Sequence, residues 1–238
     1  MMAGMLPTTS SFDVAENPTD TAVLPVGSFE QHGRHLPLVT DALIATAIAE
    51  RIANDYELFC LPVIPLGCSH EHAGFAGTVS ISATTLYAVV NDVARSLAAS
   101  GVHRLVVVNG HGGNYVLSNV VQEANLGDLR MALFPTSADW NDARSEAGLE
   151  TSAHEDMHGG EGETSILLHR FPEVVRSGFA DADHAVNDRR HLLSEGMRTY
   201  TTSGIIGRPS LATPEKGERL LSAFSRLFKE HLTVLRDR

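Results

Sequence analysis

Short apolar runs alternate with stretches of helical periodicity along most of this chain of 238 residues. The clearest run is LVVV at residues 105–108, and TAVLPV at residues 21–26 is a second. Because a helix between two such runs returns the chain to begin a parallel strand, the pattern predicts βαβ units and a parallel sheet covered by helices on both faces. Ligands in such folds bind beyond the carboxyl ends of the strands.

The remaining elements follow from the same patterns. Further strands are predicted at residues 58–64 and 131–134, and helices at residues 41–53, 84–100, 114–125, 163–169 and 214–236. Residues 135–158 are polar and predicted to be irregular, and connections of that length are usually functional or disordered. Residues 1–20 are interpreted as a flexible N-terminal lead, and residues 21–238 as one domain.

Composition excludes several classes of protein. Eighteen basic against 29 acidic residues give a net charge of −11, which argues against nucleic acid or an anionic membrane as partner. Two cysteines are too few for a disulfide framework, and the first 20 residues lack the parts of a signal peptide. No apolar run approaches the roughly 18 residues of a transmembrane helix. A cytoplasmic protein is therefore expected.

The first candidate site follows the strand at residues 21–26. Glu30 and His32 are two residues apart, so an extended segment presents both on one face, and Asp41 returns at the start of the next helix. One imidazole and two carboxylates suit Zn²⁺, Mn²⁺ or Fe²⁺, and a shared carboxylate is the usual bridge between two ions. The alternative is that Asp41 only caps its helix while Glu30 and His32 are solvated.

The second candidate is the segment NGHGGN at residues 109–114, between a strand and a helix. Gly112 and Gly113 let the backbone approach a ligand closely, so they are predicted to bind substrate, and His111 is predicted to project into the crevice as a metal ligand. The alternative is a glycine-rich turn that cradles phosphate at a helix N-terminus.

The third candidate is dense in titratable groups. Asp156, His158, Glu161 and Glu163 precede or begin a predicted helix. His158 is predicted to donate a proton to a leaving nitrogen, and Glu163 to bind metal or orient a water. An acidic helix N-terminus, favoured by the helix dipole, would explain the glutamates but not His158.

A fourth segment holds His70, Glu71 and His72 side by side. This differs from the helical His-Glu-x-x-His arrangement of zinc peptidases, so it is interpreted as a substrate-side loop to which His72 contributes. Cys68 is interpreted as a small buried residue, since nothing marks a dedicated base beside it.

Together these segments resemble the creatininase family of metal-dependent amidohydrolases. The likeness runs through LPVGSFEQHGRHLPLVTD, FAGTVSIS, VNGHGGN, HGGEGETSILLH and GIIGRPSLATPEKG, over roughly residues 21–217. It implies a creatininase-like three-layer α/β/α sandwich with a mainly parallel central sheet. It also implies a homo-oligomer, with a hexamer as one form, and a dinuclear metal centre.

The resemblance also implies residue roles. Glu30, His32, Asp41 and His111 align with metal ligands, with Asp41 as the bridge. His158 aligns with the catalytic histidine, and the acid five residues later is Glu163.

Two departures from creatininase proper bear on the substrate. Gly113 stands where creatininase has a glutamate ligand, so a fifth ligand must come from elsewhere, and Glu163 is the candidate. Creatininase places two tryptophans around its substrate, whereas this chain has only Trp140, which is predicted to contact substrate. Other branches, a formamidopyrimidine-nucleotide deformylase and the mycofactocin peptidase, are alternative precedents.

The functional hypothesis is a dinuclear hydrolase that cleaves a C–N amide bond in a small cyclic amide, formamide or peptide-like substrate. Metal-bound hydroxide attacks the carbonyl carbon, and His158 acts as general acid. Two alternatives stay open: a non-catalytic ligand-binding member of the fold, and a metal-dependent lactonase or isomerase.

Overall fold

The structure, a computed structural model, describes residues 6–237. Its central sheet has four strands, all paired in parallel, in the order β2-β1-β3-β4. The strands are β1 (Thr21–Val26), β2 (Phe59–Cys60), β3 (Arg104–Asn109) and β4 (Arg130–Phe134). In register, Val23 pairs with Cys60 on one side and Val106 on the other.

The helices follow the predicted order. They are α1 (Ser11–Glu16), α2 (Thr40–Tyr56), α3 (Ala83–Ala99), α4 (Val116–Ala124), α5 (Ser137–Ala147), α6 (Glu161–Arg170), α7 (Leu192–Glu195) and α8 (Pro214–Arg236). Five of them correspond to predicted helices, with the bounds of α8 reproduced. A single 3₁₀ turn, His70–His72, lies within the fourth candidate segment.

Alternation of side chains along β3 creates two hydrophobic cores. Val106 and Val108 pack with α2, α5, α6 and α8 on one face of the sheet. Leu105 and Val107 pack with α3 and α4 on the other face. Because successive strand residues point to opposite faces, a strand apolar at every position is buried on both sides. The predicted three-layer α/β/α sandwich with a mainly parallel sheet is confirmed.

The second predicted strand, residues 58–64, is shorter than expected. Only Phe59–Cys60 forms a strand, and Ile64 adds one isolated bridge to Val26. Pro25 is tolerated in β1 because the N and C=O of one residue in a strand point to the same side. The Pro25 carbonyl accepts from the Ile64 amide, so its missing N–H faces the side on which β2 has already ended.

The prediction that residues 135–158 are irregular is wrong, because they contain α5. Thr136 caps this helix: its hydroxyl accepts from the Asp139 amide, and the Asp139 carboxylate accepts from the Thr136 amide. Gly148, with φ of 69°, ends the helix in the left-handed conformation. A capping box and a glycine stop were therefore present in the sequence.

The N-terminal lead is described only from residue 6. It contains α1, which Ser10 caps and which has no buried residue. Residues 1–5, also part of the predicted lead, lie outside the described residues. The boundary between residues 1–20 and 21–238 stays a prediction. Among the described residues, none of the helices combines the length with the apolarity needed to cross a bilayer.

The order of the strands places a crevice between β1 and β3. The chain leaves β1 toward β2 on one side and then crosses to β3 on the other. Such a reversal of direction leaves an opening at the carboxyl ends of the two strands, where α/β proteins bind ligands. The segments that follow β1 and β3, residues 27–41 and 110–115, both begin at these carboxyl ends.

Candidate metal centre

Two glycines let the ends of β1 and β3 approach α2 closely. A Cβ atom at Gly27 would overlap the Ala42 backbone, and one at Gly110 would overlap the Asp41 carbonyl. The loop after β1 closes on itself through a hydrogen bond from the Glu30 amide to the Leu38 carbonyl, 2.9 Å. The first turn of α2 and both strand ends therefore meet at one point.

Asp41 lies at that point and is 1% exposed. Its Oδ1 is 3.1 Å from His32 Nε2, and its Oδ2 is 3.1 Å from His111 Nδ1. Ser28 Oγ donates to Oδ2 at 2.6 Å. The N-cap of α2 is Val39, which makes no side-chain capping bond. The carboxylate of Asp41 thus serves the histidines, and the helix-capping alternative is not supported.

Glu30 is fully buried and has no hydrogen-bond partner on either carboxylate oxygen among the described residues. Its Oε1 lies 3.2 Å from His72 Nε2 and 3.3 Å from His111 Nδ1, without hydrogen-bond geometry. A buried carboxylate without partners is costly, and a cation removes that cost. This orphaned carboxylate is the observation that best fits a metal site.

His158 and Glu163 approach from the start of α6. His158 Nδ1 is 3.8 Å from Glu30 Oε1, and Glu163 Oε2 is 3.8 Å from His32 Nε2. Three groups of donor atoms result, each with all members within 4.8 Å of one another. The groups are Glu30–His32–His158, Glu30–Asp41–His111 and His32–Asp41–Glu163. All five predicted ligands converge, and mixed imidazole and carboxylate donors suit Zn²⁺, Mn²⁺ or Fe²⁺.

The electrostatics also fit a cation. Burial raises the pKa of Glu30 to about 8, and the charge of Asp41 adds to the shift. Burial likewise raises the pKa of Glu163 to about 7. Burial alone would lower the pKa of His32, but the Asp41 carboxylate outweighs it and raises the value to about 9. Burial therefore makes it costly for both glutamates to be ionised in the metal-free site, and a bound cation would offset that cost.

Two histidines near the cluster are held neutral. Burial lowers the pKa of His158 well below its ordinary value, and the charge of His32 adds to this. Burial lowers the pKa of His72 to about 3. Each ring therefore carries one proton, on one of its two nitrogens.

The other two acids of the third candidate segment, Asp156 and Glu161, accept backbone hydrogen bonds and form ion pairs. Asp156 accepts from the Glu161 and Gly162 amides at 2.6 and 2.9 Å and pairs with Arg144 at 3.0 Å. The carboxylate of Glu161 pairs with Lys216 Nζ at 2.5 Å, and it is buried. Both acids fix the N-terminus of α6, from which His158 and Glu163 reach the cluster.

The fourth segment brings two further titratable side chains to the cluster, and its interpretation as a substrate-side loop stays a prediction. His72 is buried beside Glu30, and Glu71 Oε1 lies 3.5 Å from His111 Nε2. A Cβ atom at Gly113 would overlap this Glu71 oxygen and the His111 ring. A carboxylate from another loop therefore occupies the space that a side chain at position 113 would need. No sequence pattern indicates a role for Glu71, because only the fold brings it to His111.

Three further positions singled out in the sequence, Gly112, Trp140 and Cys68, differ in how far they are buried. Gly112 is exposed, with open space around the position of a Cβ atom, and its substrate role stays a prediction. Trp140 is half-buried and packs edge-on against Phe224 at the margin of the core, with ring centroids 4.7 Å apart. Its contact with substrate stays a prediction. Burial raises the pKa of the Cys68 thiol, in agreement with its reading as a buried residue.

Glu30 gives a pH-dependent prediction for the metal-free protein. In the folded chain the pKa of Glu30 is about 8, well above that of an exposed glutamate. Between about pH 4 and pH 8 the folded chain therefore keeps a proton on Glu30 that the unfolded chain has already released. The free energy of unfolding therefore falls as the pH rises through this range. We expect Glu30→Gln to raise the melting temperature in chelator at pH 9, by about 2–4 °C per kcal/mol recovered, and to change it less at pH 6.

Glu218→Gln, at an exposed position of α8, is the matched control and should leave the melting temperature unchanged at both pH values. An equal or lower melting temperature for Glu30→Gln at pH 9 would show that the buried carboxylate is not under electrostatic stress.

Comparisons with known proteins show the family to which this chain belongs. The family model described as creatininase, creatinine amidohydrolase, matches residues 7–232. A mycofactocin precursor peptide peptidase of Mycobacterium tuberculosis H37Rv is 38% identical over 215 residues, covering 84% of this chain and 80% of the relative. A creatinine amidohydrolase of Pseudomonas putida is 30% identical over 219 residues, covering 84% and 83%.

Solved structures share the fold. One described as creatininase Mn superposes with a TM-score of 0.74 at 26% identity, covering 92% of this chain and 93% of that one. A mutant creatininase of the Zn-Zn type gives a TM-score of 0.70 at 26% identity, covering 92% of each chain. Both names refer to metals of the kinds that suit the donors described above.

Proposed function

This chain belongs to the creatininase family of amidohydrolases, and from that premise we propose that it cleaves a C–N amide bond with two bound divalent metal ions. The observation that carries the proposal is the buried Glu30 carboxylate, which lacks a hydrogen-bond partner within residues 6–237 and lies among the other donors. The relatives are named as a peptidase and an amidohydrolase, both of which cleave C–N bonds.

Glu30, His32, Asp41, His111 and Glu163 would hold the ions. Asp41, like Glu30 and His32, belongs to two of the three donor groups, and its two carboxylate oxygens face different histidines, which supports a place as a ligand shared by both ions. Divalent ions in such a site lower the pKa of water and polarise a carbonyl oxygen. Zn²⁺, Mn²⁺ and Fe²⁺ are the candidates, and the names of two solved relatives refer to manganese and zinc.

His158 moves the proton in the proposed reaction. Its Nδ1 faces the carboxylates, and its neutral ring has room to accept a proton from the attacking water. Nδ1 then passes that proton to the departing nitrogen. Without it, the nitrogen would have to leave as an amide anion, which is a poor leaving group. Positioned proton transfer of this kind is typically worth about 10²–10⁴-fold in rate. Glu163 anchors the loop through the Gly159 amide and keeps His158 close.

The substrate we propose is a small molecule with a peptide-like, cyclic or formyl amide. Greater identity to the peptidase than to the creatinine amidohydrolase supports testing short peptides first. The chain has a single tryptophan, Trp140, which packs against Phe224, and this weighs against a creatinine pocket of the two-tryptophan kind. The proposal includes a homo-oligomer, such as a hexamer, in the cytoplasm without nucleic-acid or membrane partners. The family likeness and the net charge of −11 support it.

Metal analysis combined with a substrate screen tests the function. We expect about two ions per chain after purification, and cleavage of one amide class that chelator abolishes and Mn²⁺, Zn²⁺ or Fe²⁺ restores. The screen covers short peptides, cyclic amides and formamides. A chain that holds no metal and cleaves nothing would be a ligand-binding protein. Turnover of only lactones or ketones would assign a different reaction to the same centre.

A further inference from the structure

The side chain of Gln31 lies between two histidines of the site and is itself assigned to no role above. It is 5% exposed, and its Nε2 lies 3.0 Å from His72 Nδ1 and 3.1 Å from His158 Nε2. Resting on the proposed function, we propose that Gln31 is a positioning residue that fixes which ring nitrogen of each histidine carries the proton.

The orientation of the Gln31 amide follows from its backbone partners. Its Oε1 accepts from the Gly33 amide at 3.0 Å, which requires an oxygen at that position. Its Nε2 donates to the Gly204 carbonyl at 3.0 Å, which requires a nitrogen. Gly204 has φ of 89°, and a Cβ atom there would overlap the Gln31 amide. The amide therefore has one orientation, and one hydrogen on Nε2 remains to be placed.

The proton of His158 is placed by the main chain. His158 Nε2 lies 2.6 Å from the Gln31 carbonyl oxygen, which can only accept a hydrogen bond. Nε2 must therefore carry the proton and cannot also accept from the Gln31 amide. In the neutral ring, Nδ1 is left bare on the side of Glu30.

The position of the ring proton on His72 follows from the position of the one on His158. Because His158 Nε2 is a donor, the second hydrogen of Gln31 Nε2 goes to His72 Nδ1. Nδ1 of His72 is thus an acceptor, and the ring proton is on Nε2, 3.2 Å from Glu30 Oε1. Through these two contacts, Gln31 orients His72 with an N–H toward the site and His158 with a lone pair toward it.

This arrangement sets the direction of proton transfer. His158 begins each cycle as an acceptor at Nδ1, and it becomes a donor only after it has taken a proton. His72 offers a fixed N–H on the same side of the crevice, suited to an electron-rich oxygen of the substrate. Without the Gln31 donor, no group among the described residues holds a lone pair on His72 Nδ1, and only the nearby Glu30 carboxylate still favours the proton on Nε2.

Neutron diffraction of the metal-loaded, full-length protein tests the assignment without any substitution. We expect deuterium on Nε2 of both His72 and His158, and a bare Nδ1 on His72. Deuterium on Nδ1 of His72, or a bare Nε2 on His158, would overturn the proposal. This readout does not depend on amide cleavage, so failure of the proposed function and failure of this inference are distinguishable.

Gln31→Met supplies the kinetic test, because methionine has similar length and no donor. We expect kcat to fall about 10–100-fold, the scale seen when the partner of a site histidine is removed, with KM and metal content near wild type. Gln122→Met, at an exposed position of α4, is the matched control and should leave all three unchanged. An unchanged kcat in Gln31→Met would overturn the role of Gln31, whereas loss of metal would assign it to metal retention instead.

Discussion

Replacing Asp41 with asparagine is expected to release the metal and to lower turnover by about 10³-fold or more. Both carboxylate oxygens are committed, Oδ1 toward His32 and Oδ2 toward His111. An amide keeps the shape but offers one oxygen and no charge, so neither donor group that contains Asp41 stays intact. Loss of a few kcal/mol of metal-derived stabilisation corresponds to about this factor. Metal content after dialysis and kcat on the amide found in the screen are the measurements.

Asp139→Asn is the matched control for this substitution. Asp139 is also buried and bonded to a histidine, with Oδ1 3.1 Å from His231 Nε2, but it lies in α5. We expect full metal content and normal turnover, with a stability loss of about 1 kcal/mol from the weakened cap of α5. If Asp41→Asn keeps two ions and near-normal turnover, Asp41 is not the shared ligand.

Elements with strong periodicity were predicted well, and α5 shows why others were not. The bounds of β1 and α8 agree with prediction because each has a long apolar pattern facing one or both cores. The buried residues of α5 include Asp139 and Arg144 beside two alanines, so its apolar stripe is weak. Its sequence signal was the capping pair of Thr136 and Asp139, which acts over four residues only.

The site was predictable where the chain topology alone brings residues together. Glu30, His32, Asp41 and His111 follow neighbouring parallel strands, and the carboxyl ends of such strands meet at one edge. Their convergence follows from the fold class. Their metal-binding roles remain predictions that the Asp41 and Glu30 variants test.

Glu71 and Gln31 illustrate what topology does not give. The position of Glu71 beside His111 depends on a missing side chain at Gly113, where the sequence shows only the absence of a carboxylate. The role proposed for Gln31 depends on which atoms of its amide meet the two histidine rings. The packing of Trp140 on Phe224 was not predictable either, because a lone aromatic residue gives no sign of whether it faces a crevice or a core.

Replacing His158 with alanine is expected to lower turnover by about 10²–10⁴-fold while both ions stay bound. The expectation follows from the position of Nδ1, 3.8 Å from Glu30 Oε1, and from the neutral ring that burial maintains. Removing the ring removes the group that carries a proton to the leaving nitrogen. Metal content and kcat are measured on the same preparation.

The same variant separates two roles, because His158 also belongs to a donor group with Glu30 and His32. If His158 carries a proton, its removal lowers kcat at constant metal content. If His158 is a ligand, its removal lowers both metal content and kcat. His35→Ala is the control, since His35 is equally buried in the neighbouring loop but bonds Thr164 at 3.1 Å. If His35→Ala keeps its metal and His158→Ala does not, His158 is a ligand, and the proton must travel through another group.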